Sequence, residues 1–345
     1  MFSYSWRNET FMEQTVGPIA LGILDHRGTT SQEPAEAQEP RMTYRGIALL
    51  LILSALWGGS FLFMRMAASV VGPAWLMLAR VGLAAIFLWG VALWFKRRLQ
   101  PLRYWRHYLM FGFFNAALPF LLFAFAAQTI SVSLLSILNA TAPMWAAVIA
   151  VLWTKAELSL IKWFGMGVGL AGVAVLAGLE SMTLPAGGMW AIGAGLAAAL
   201  SYGIAINYAH VAPDVDPFSN AHGSMWAATL VMIPVALATP VPADVPMVPI
   251  GLAVLALGLL CSGVAYLIFF RLIADFGGVS ALTVTFLIPV FGTLWGAWLL
   301  GEPVTWATAS GGFLVLVGTA LVTGFSLRSL SGRSPPIRET SRIQR

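Results

Sequence analysis

Between residues 46 and 326 the chain is a succession of long apolar runs broken by short polar connections. A helix needs about 20 mainly apolar residues to cross a hydrocarbon layer of about 30 Å. Ten runs of that order occur, near 46–66, 73–95, 107–127, 132–153, 161–179, 188–209, 220–239, 249–271, 279–300 and 304–325. They are too long and too rich in Gly and Ala for barrel strands, which alternate over about ten residues. A helical bundle satisfies the backbone inside lipid without them. The predicted fold is therefore an all-α polytopic membrane protein with ten transmembrane helices and no room for a sizeable soluble domain.

Composition agrees: 59% of the residues are hydrophobic and 10% charged, against roughly 45–50% and about 25% in soluble domains. Residues 1–44 differ, with "TTSQEPAEAQEP" ahead of the first run, a composition too polar to order itself. They are expected to form a disordered tail, and Met42 offers an alternative start. The apolar stretch Val16 to Leu24 ends at Asp25 without a small-residue cleavage pattern, which argues against a signal peptide.

Of nineteen lysines and arginines, all but Arg65 and Arg80 fall on one side if the N-terminus is cytoplasmic. With ten spans both termini, including a basic tail at 327–345, then lie inside, as the positive-inside rule asks. The basic segments thus report orientation in an inner membrane, and no nucleic-acid partner is expected. Trp94, Trp105, Trp153, Trp163 and Trp306 sit near run ends, where amphipathic rings settle at the interface. Cys261 is the single cysteine, so neither an intramolecular disulfide nor a thiolate cluster can form.

A displacement of about 145 residues brings the second half onto the first. "LSALWGGSF" falls on "AALSYGIAI", pairing Trp57 and Gly58 with Tyr202 and Gly203, while Phe120 falls on Tyr266, Pro143 on Pro289 and Glu157 on Glu302. The unit is five spans, at 45–180 and 187–326. An odd number of spans inserts the second copy in the opposite sense, giving two inverted five-helix repeats, an architecture of transporters. The basic loop after run 2 and its uncharged-to-acidic counterpart "TPVPADVPMVP" fit opposite faces.

"WGGSF", together with the twice-repeated proline-bearing span followed by Glu ("AELSLIKWFGMGVGLAGV" and "GEPVTWATASGGFLVLVG"), resembles the EamA-like branch of the drug/metabolite transporter superfamily over residues 45–326. The resemblance implies a bacterial inner-membrane permease, often an exporter of amino acids or related metabolites. The first copy departs from the family pattern in having Ala156 before Glu157 rather than Gly.

Candidate pathway residues follow from what lipid penalises. Proline lacks an amide hydrogen and frees the carbonyl four residues back, so Pro119, Pro143 and Pro289 are expected to free those of Asn115, Asn139 and Thr285, each beside a polar side chain on the same face. Such groups are tolerated in a wet cavity or where they tie helices together. Arg80 lies seven residues past Pro73, about 10 Å into the bilayer. It either binds a substrate carboxylate or snorkels outward to cap carbonyls. Arg65 is expected to snorkel. Trp57, Tyr202 and Tyr266 are candidates for stacking or gating, and Asn207 completes the pathway set. His107, His210 and His222 are expected at solvated interfaces, and Glu157 and Glu302 at helix N-termini, where the macrodipole favours a negative charge. The Gly-rich runs carry small-xxx-small spacings for close helix approach.

The expected function is a secondary transporter, not an enzyme, of a small anionic or zwitterionic metabolite such as an amino acid. It needs no cofactor or metal, and a homodimer is left open. Efflux of cationic drugs is the alternative, although it favours a membrane-embedded carboxylate and none is visible. A receptor or scaffold without transport is the other.

Overall fold

The computed structural model describes residues 43–97, 100–180, 187–241 and 247–324; the expected tails lie outside the described residues except for Thr43 and Tyr44, which open the first helix. The chain forms helices α1 (Tyr44–Val71), α2 (Pro73–Trp94), α3 (Pro101–Ala127) and α4 (Val132–Thr154), then α5 (Leu160–Glu180), α6 (Gly188–Val211) and α7 (Pro217–Leu237). Next come α8, in three consecutive segments (Met247–Leu255, Ala256–Val264, Ala265–Leu282), α9 (Val284–Leu300) and α10 (Trp306–Thr323). No strand occurs among the described residues. Eight of these helices, all but α7 and α9, are long and apolar enough to cross a membrane. Helix α9 is apolar but shorter, and α7 opens on the polar stretch "FSNAHGS".

Local chemistry sets the helix ends. Thr43, Ser131, Asp216 and Thr305 each accept a first-turn amide with their side chains at the starts of α1, α4, α7 and α10, the usual service of an N-cap. Gly72 alone separates α1 from α2; its φ of 81° lies in the region that glycine adopts without penalty, and Pro73 opens the next helix. Helix α3 starts at Pro101, ahead of the expected 107, and α8 runs on to Leu282 instead of ending near 271.

The proline sites behave differently from one another. Helix α4 breaks between Asn139 and Ala142, just ahead of Pro143, whereas α9 continues across a buried Pro289. Near Pro119 the helix widens. Residues Phe113–Ala117 form a π segment, in which the Leu118 amide donates to the Phe113 carbonyl, five residues back. Pro119 offers no amide to the carbonyls of Phe114 and Asn115, five and four residues back, and the Ser201 hydroxyl donates to the Phe114 carbonyl at 2.8 Å. A second π segment, Ala256–Val264, occupies the corresponding place in α8 without a nearby central proline, so proline is not what produces the widening. Pro234, inside α7, is a further break in the amide ladder that the sequence reading passed over.

Between apolar helices in lipid there is no water to expel, so association depends on close packing and interhelical hydrogen bonds. Small residues supply the approach. A methyl group on Gly58 of α1 would come within 2.9 Å of Phe291 and Gly292 of α9. One on Gly203 of α6 would come within 2.8 Å of Trp145 and Ala146 of α4. Gly58 and Gly203 are 145 residues apart, and the partner pairs 146, so the two contacts are one contact with the roles of the halves exchanged. Helices α5 and α10 cross backbone to backbone: a methyl on Gly165 would lie 2.9 Å from the Gly318 carbonyl, and one on Gly172 2.7 Å from that of Gly311. That contact maps onto itself under the same displacement, with Gly165 on Gly311 and Gly172 on Gly318. The expected close approach of the Gly-rich runs is thus present. The five interfacial tryptophans are exposed.

Gly203→Ala should force α6 and α4 apart and cost about 1–3 kcal/mol, the usual penalty of overpacking. Gly193→Ala, on the same helix with nothing within 4 Å of the added methyl, should be neutral or slightly stabilising. Thermal unfolding of the detergent-solubilised variants checks both.

Candidate functional site

Helix α2 carries Arg80 into the middle of the bundle, where it is only 3% exposed. It does not snorkel. Its Nε donates to Ser262 Oγ at 3.0 Å, within the π segment of α8, and its Nη1 faces Met64 Sδ of α1 at 3.8 Å. The guanidinium lies 3.7 Å above the centre of the Phe120 ring of α3, a cation–π contact that strengthens when desolvated. Among the described residues the ion pairs are Arg65 with Glu302 and Arg271 with Asp275, so no carboxylate neutralises Arg80. A guanidinium has five N–H donors, and the contacts above engage two of its three nitrogens. The position matching Arg80, 145 residues on, is Met225, which is fully buried.

Aromatic and amide groups gather around this cation. Tyr202, Cys261 and Tyr266 lie near enough to feel its charge. The Asn115 amide donates to the Tyr266 hydroxyl at 3.3 Å, Trp57 meets Tyr266 edge-on with centroids 6.4 Å apart, and Tyr202 lies 6.3 Å from Phe123. Trp57, Asn115 and Tyr202 are all half-buried. Among the described residues the sealed side-chain atoms without a partner are the hydroxyls of Tyr108 and Thr283; neither the guanidinium nor the Tyr202 hydroxyl belongs with them. The structure therefore brings Trp57, Arg80, Asn115, Tyr202 and Tyr266 together where α1, α2, α3, α6 and α8 meet. Both π segments border this place, and such widened turns are frequent at functional sites.

Other candidates stand apart. Asn207 donates to the carbonyls of Ala146 at 2.8 Å and Gly203 at 2.9 Å, tying α6 to α4. Asn139 is half-buried at the break in α4, with no side-chain hydrogen bond among the described residues; the neighbouring Ala140 carbonyl accepts from Thr319 of α10 at 2.8 Å. Thr285 is half-buried on α9.

Polar groups near the helix ends differ from expectation. His107 and His222 are buried rather than solvated. His107 pairs with Tyr208 at 3.2 Å and Asn220 at 3.0 Å, and the Trp226 indole donates to His222 at 3.0 Å; these partners replace water. His210 is exposed, as expected. Glu302 does sit at a helix N-terminus, but at that of α4, not of the helix following it: its Oε2 accepts from the Val132 amide at 2.9 Å. Arg65 pairs with its Oε1 at 3.6 Å and donates to the Ala127 and Gln128 carbonyls at the end of α3, at 3.0 and 2.9 Å. Burial pushes the Glu302 carboxyl above the ordinary carboxylate range, while the Val132 amide and Arg65 pull against that shift.

Sequence reasoning missed Ser262, Met64 and Phe123. Ser262 had one signal, a hydroxyl inside the apolar run "LGLLCSGVAYL". Asn207→Ala should lower stability by about 0.6 kcal/mol, the typical worth of such a bond between membrane helices, as read by thermal unfolding in detergent.

The sequence profile described as the EamA-like transporter family matches residues 44–178 and again 189–324. An uncharacterized transporter of Archaeoglobus fulgidus is 24% identical over 292 residues, covering 80% of this chain and 96% of the relative. The uncharacterized transporter YdfC of Bacillus subtilis is 27% identical over 126 residues, 36% of this chain and 41% of that one. A protein of known crystal structure shares the fold with a TM-score of 0.56 at 19% identity, over 82% of this chain and 99% of its own. With both halves matched in succession, the chain is a multi-pass membrane protein that belongs to the EamA-like transporter family.

Proposed function

We propose that the protein is a secondary transporter that exports a small anionic or zwitterionic metabolite, an amino acid or a related compound. Its two five-helix halves, 45–180 and 187–326, insert in opposite senses into the inner membrane as ten spans with both termini cytoplasmic. The exchanged contacts of Gly58 and Gly203, and the self-matching contact of α5 with α10, support a two-fold relation between the halves. With five spans per half, such an axis lies in the membrane plane.

The observation that carries the substrate class is Arg80: a buried guanidinium with a hydroxyl, a thioether and a ring for company and no acid beside it. An unpaired charge at depth is costly, and a carboxylate on the solute offsets that cost while taking the bidentate geometry the guanidinium offers. Trp57, Tyr202 and Tyr266 then flank the body of the solute, and Asn115 holds the Tyr266 hydroxyl in place. Efflux of cationic drugs is disfavoured by the same charge. Asp275, an acid on α8, is already paired with Arg271 at 2.7 Å.

In proteoliposomes loaded with a panel of amino acids and carboxylates, Arg80→Ala should reduce flux of the transported anion at least about 100-fold, equivalent to about 2.7 kcal/mol. Arg80→Lys should recover only part of it, because an ammonium lacks the planar fork. Undiminished flux through Arg80→Ala removes this assignment. No flux of any solute through the wild-type protein favours a receptor or scaffold.

A further inference from the structure

The cluster of Arg65, Glu302 and the α3–α4 turn lies away from the central cation and has no part in binding a solute there. It does three things at once. Arg65 donates to the two carbonyls that end α3, Glu302 accepts from the amide that begins α4, and the two side chains pair with each other. The turn from Gln128 to Ser131 is thereby held from both sides. Each partner matches the partial charge of the helix end it meets, positive on carbonyls and negative on amides. Arg65, α3 and α4 belong to the first half and Glu302 to the second. Among the described residues this is the ion pair that joins the halves. Gly296 makes room for it: a methyl there would come within 2.6 Å of the Glu302 carboxylate.

The equivalent place in the other half is not held. The positions 145 residues from Arg65 and Glu302 are His210 and Glu157. Both are exposed, and neither makes a hydrogen bond or ion pair among the described residues. The residues matching the α3–α4 turn fall inside Ala265–Leu282, which is helical throughout, whereas α3 stops at Ala127 and α4 starts at Val132. Two halves with matching contacts elsewhere thus differ here, one turn strapped and the other drawn out into helix.

We propose that Arg65 and Glu302 form the latch that keeps the pathway closed on their face of the membrane, and that the structure is the state latched there and released on the opposite face. This rests on the transport reading. Opening the latched face requires the ion pair and both helix-end contacts to part together. Exchanging the two residues would not restore it, since each would then meet a helix end of its own sign.

The test uses the full chain in vesicles of known orientation, with Cys261→Ser as background and Asn139→Cys as reporter. Asn139 lies seven residues past Val132, about 10 Å in from the latched face. With the latch intact, a membrane-impermeant maleimide should label the reporter mainly from the face bearing Glu157 and His210. Adding Glu302→Gln, or Gly296→Ala, which displaces the carboxylate without changing charge, should raise labelling from the Arg65 face at least about tenfold, the population change produced by about 1.4 kcal/mol. Unchanged labelling in both variants overturns the latch. Flux measured in the same vesicles tests the transport reading separately. Labelling that shifts without flux in any variant, the wild-type chain included, removes the transport reading and the latch with it; flux with unshifted labelling removes the latch alone.

Discussion

Inside a bilayer a polar group has no water to fall back on, and every feature of this chain is an answer to that constraint. Backbone groups are largely satisfied within helices, and two carbonyls beside interrupted turns accept from hydroxyls: Phe114 from Ser201 and Ala140 from Thr319. Helices that gain little from burying apolar surface against one another must approach closely instead. That is why Gly58, Gly203 and the Gly-lined crossing of α5 with α10 carry the architecture. Against this background Arg80, buried with no acid paired to it among the described residues, is the exception.

The same constraint explains what could be read from the chain in advance. Apolar run length located the helices because lipid thickness imposes it, and the pairing of Gly58 with Gly203 was visible because both halves must solve one packing problem. The break at Asn139 followed from Pro143. Other features left no comparable trace. A π segment has no compositional mark, so the sequence does not announce the Phe114 carbonyl beside Pro119 or the Ser201 hydroxyl that it accepts from. Partners distant in sequence were equally hidden: Ser262 for Arg80, 182 residues away, and Val132 for Glu302, 170 residues away. Position near a run end suggested water for His107 and His222, but α6 and α7 supply Tyr208 and Asn220 to His107, and Trp226, one turn along α7, donates to His222.

The candidate pathway residues separate into two kinds once their partners are known. Arg80, Asn115, Trp57, Tyr202 and Tyr266 converge from five helices, so their mutual positions depend on how the halves sit together. Asn207 spends its amide hydrogens on a neighbouring helix and belongs with the glycines as a fastener. Residues of the first kind sense a change in arrangement of the bundle; those of the second resist it.

Arg80 has no counterpart in the second half, where the buried Met225 stands 145 residues on. On the proposed reading, a dipolar guest lodged at Arg80 is gripped by its negative end through α2 alone. On that reading head and tail are told apart by a side chain that duplication left without a twin.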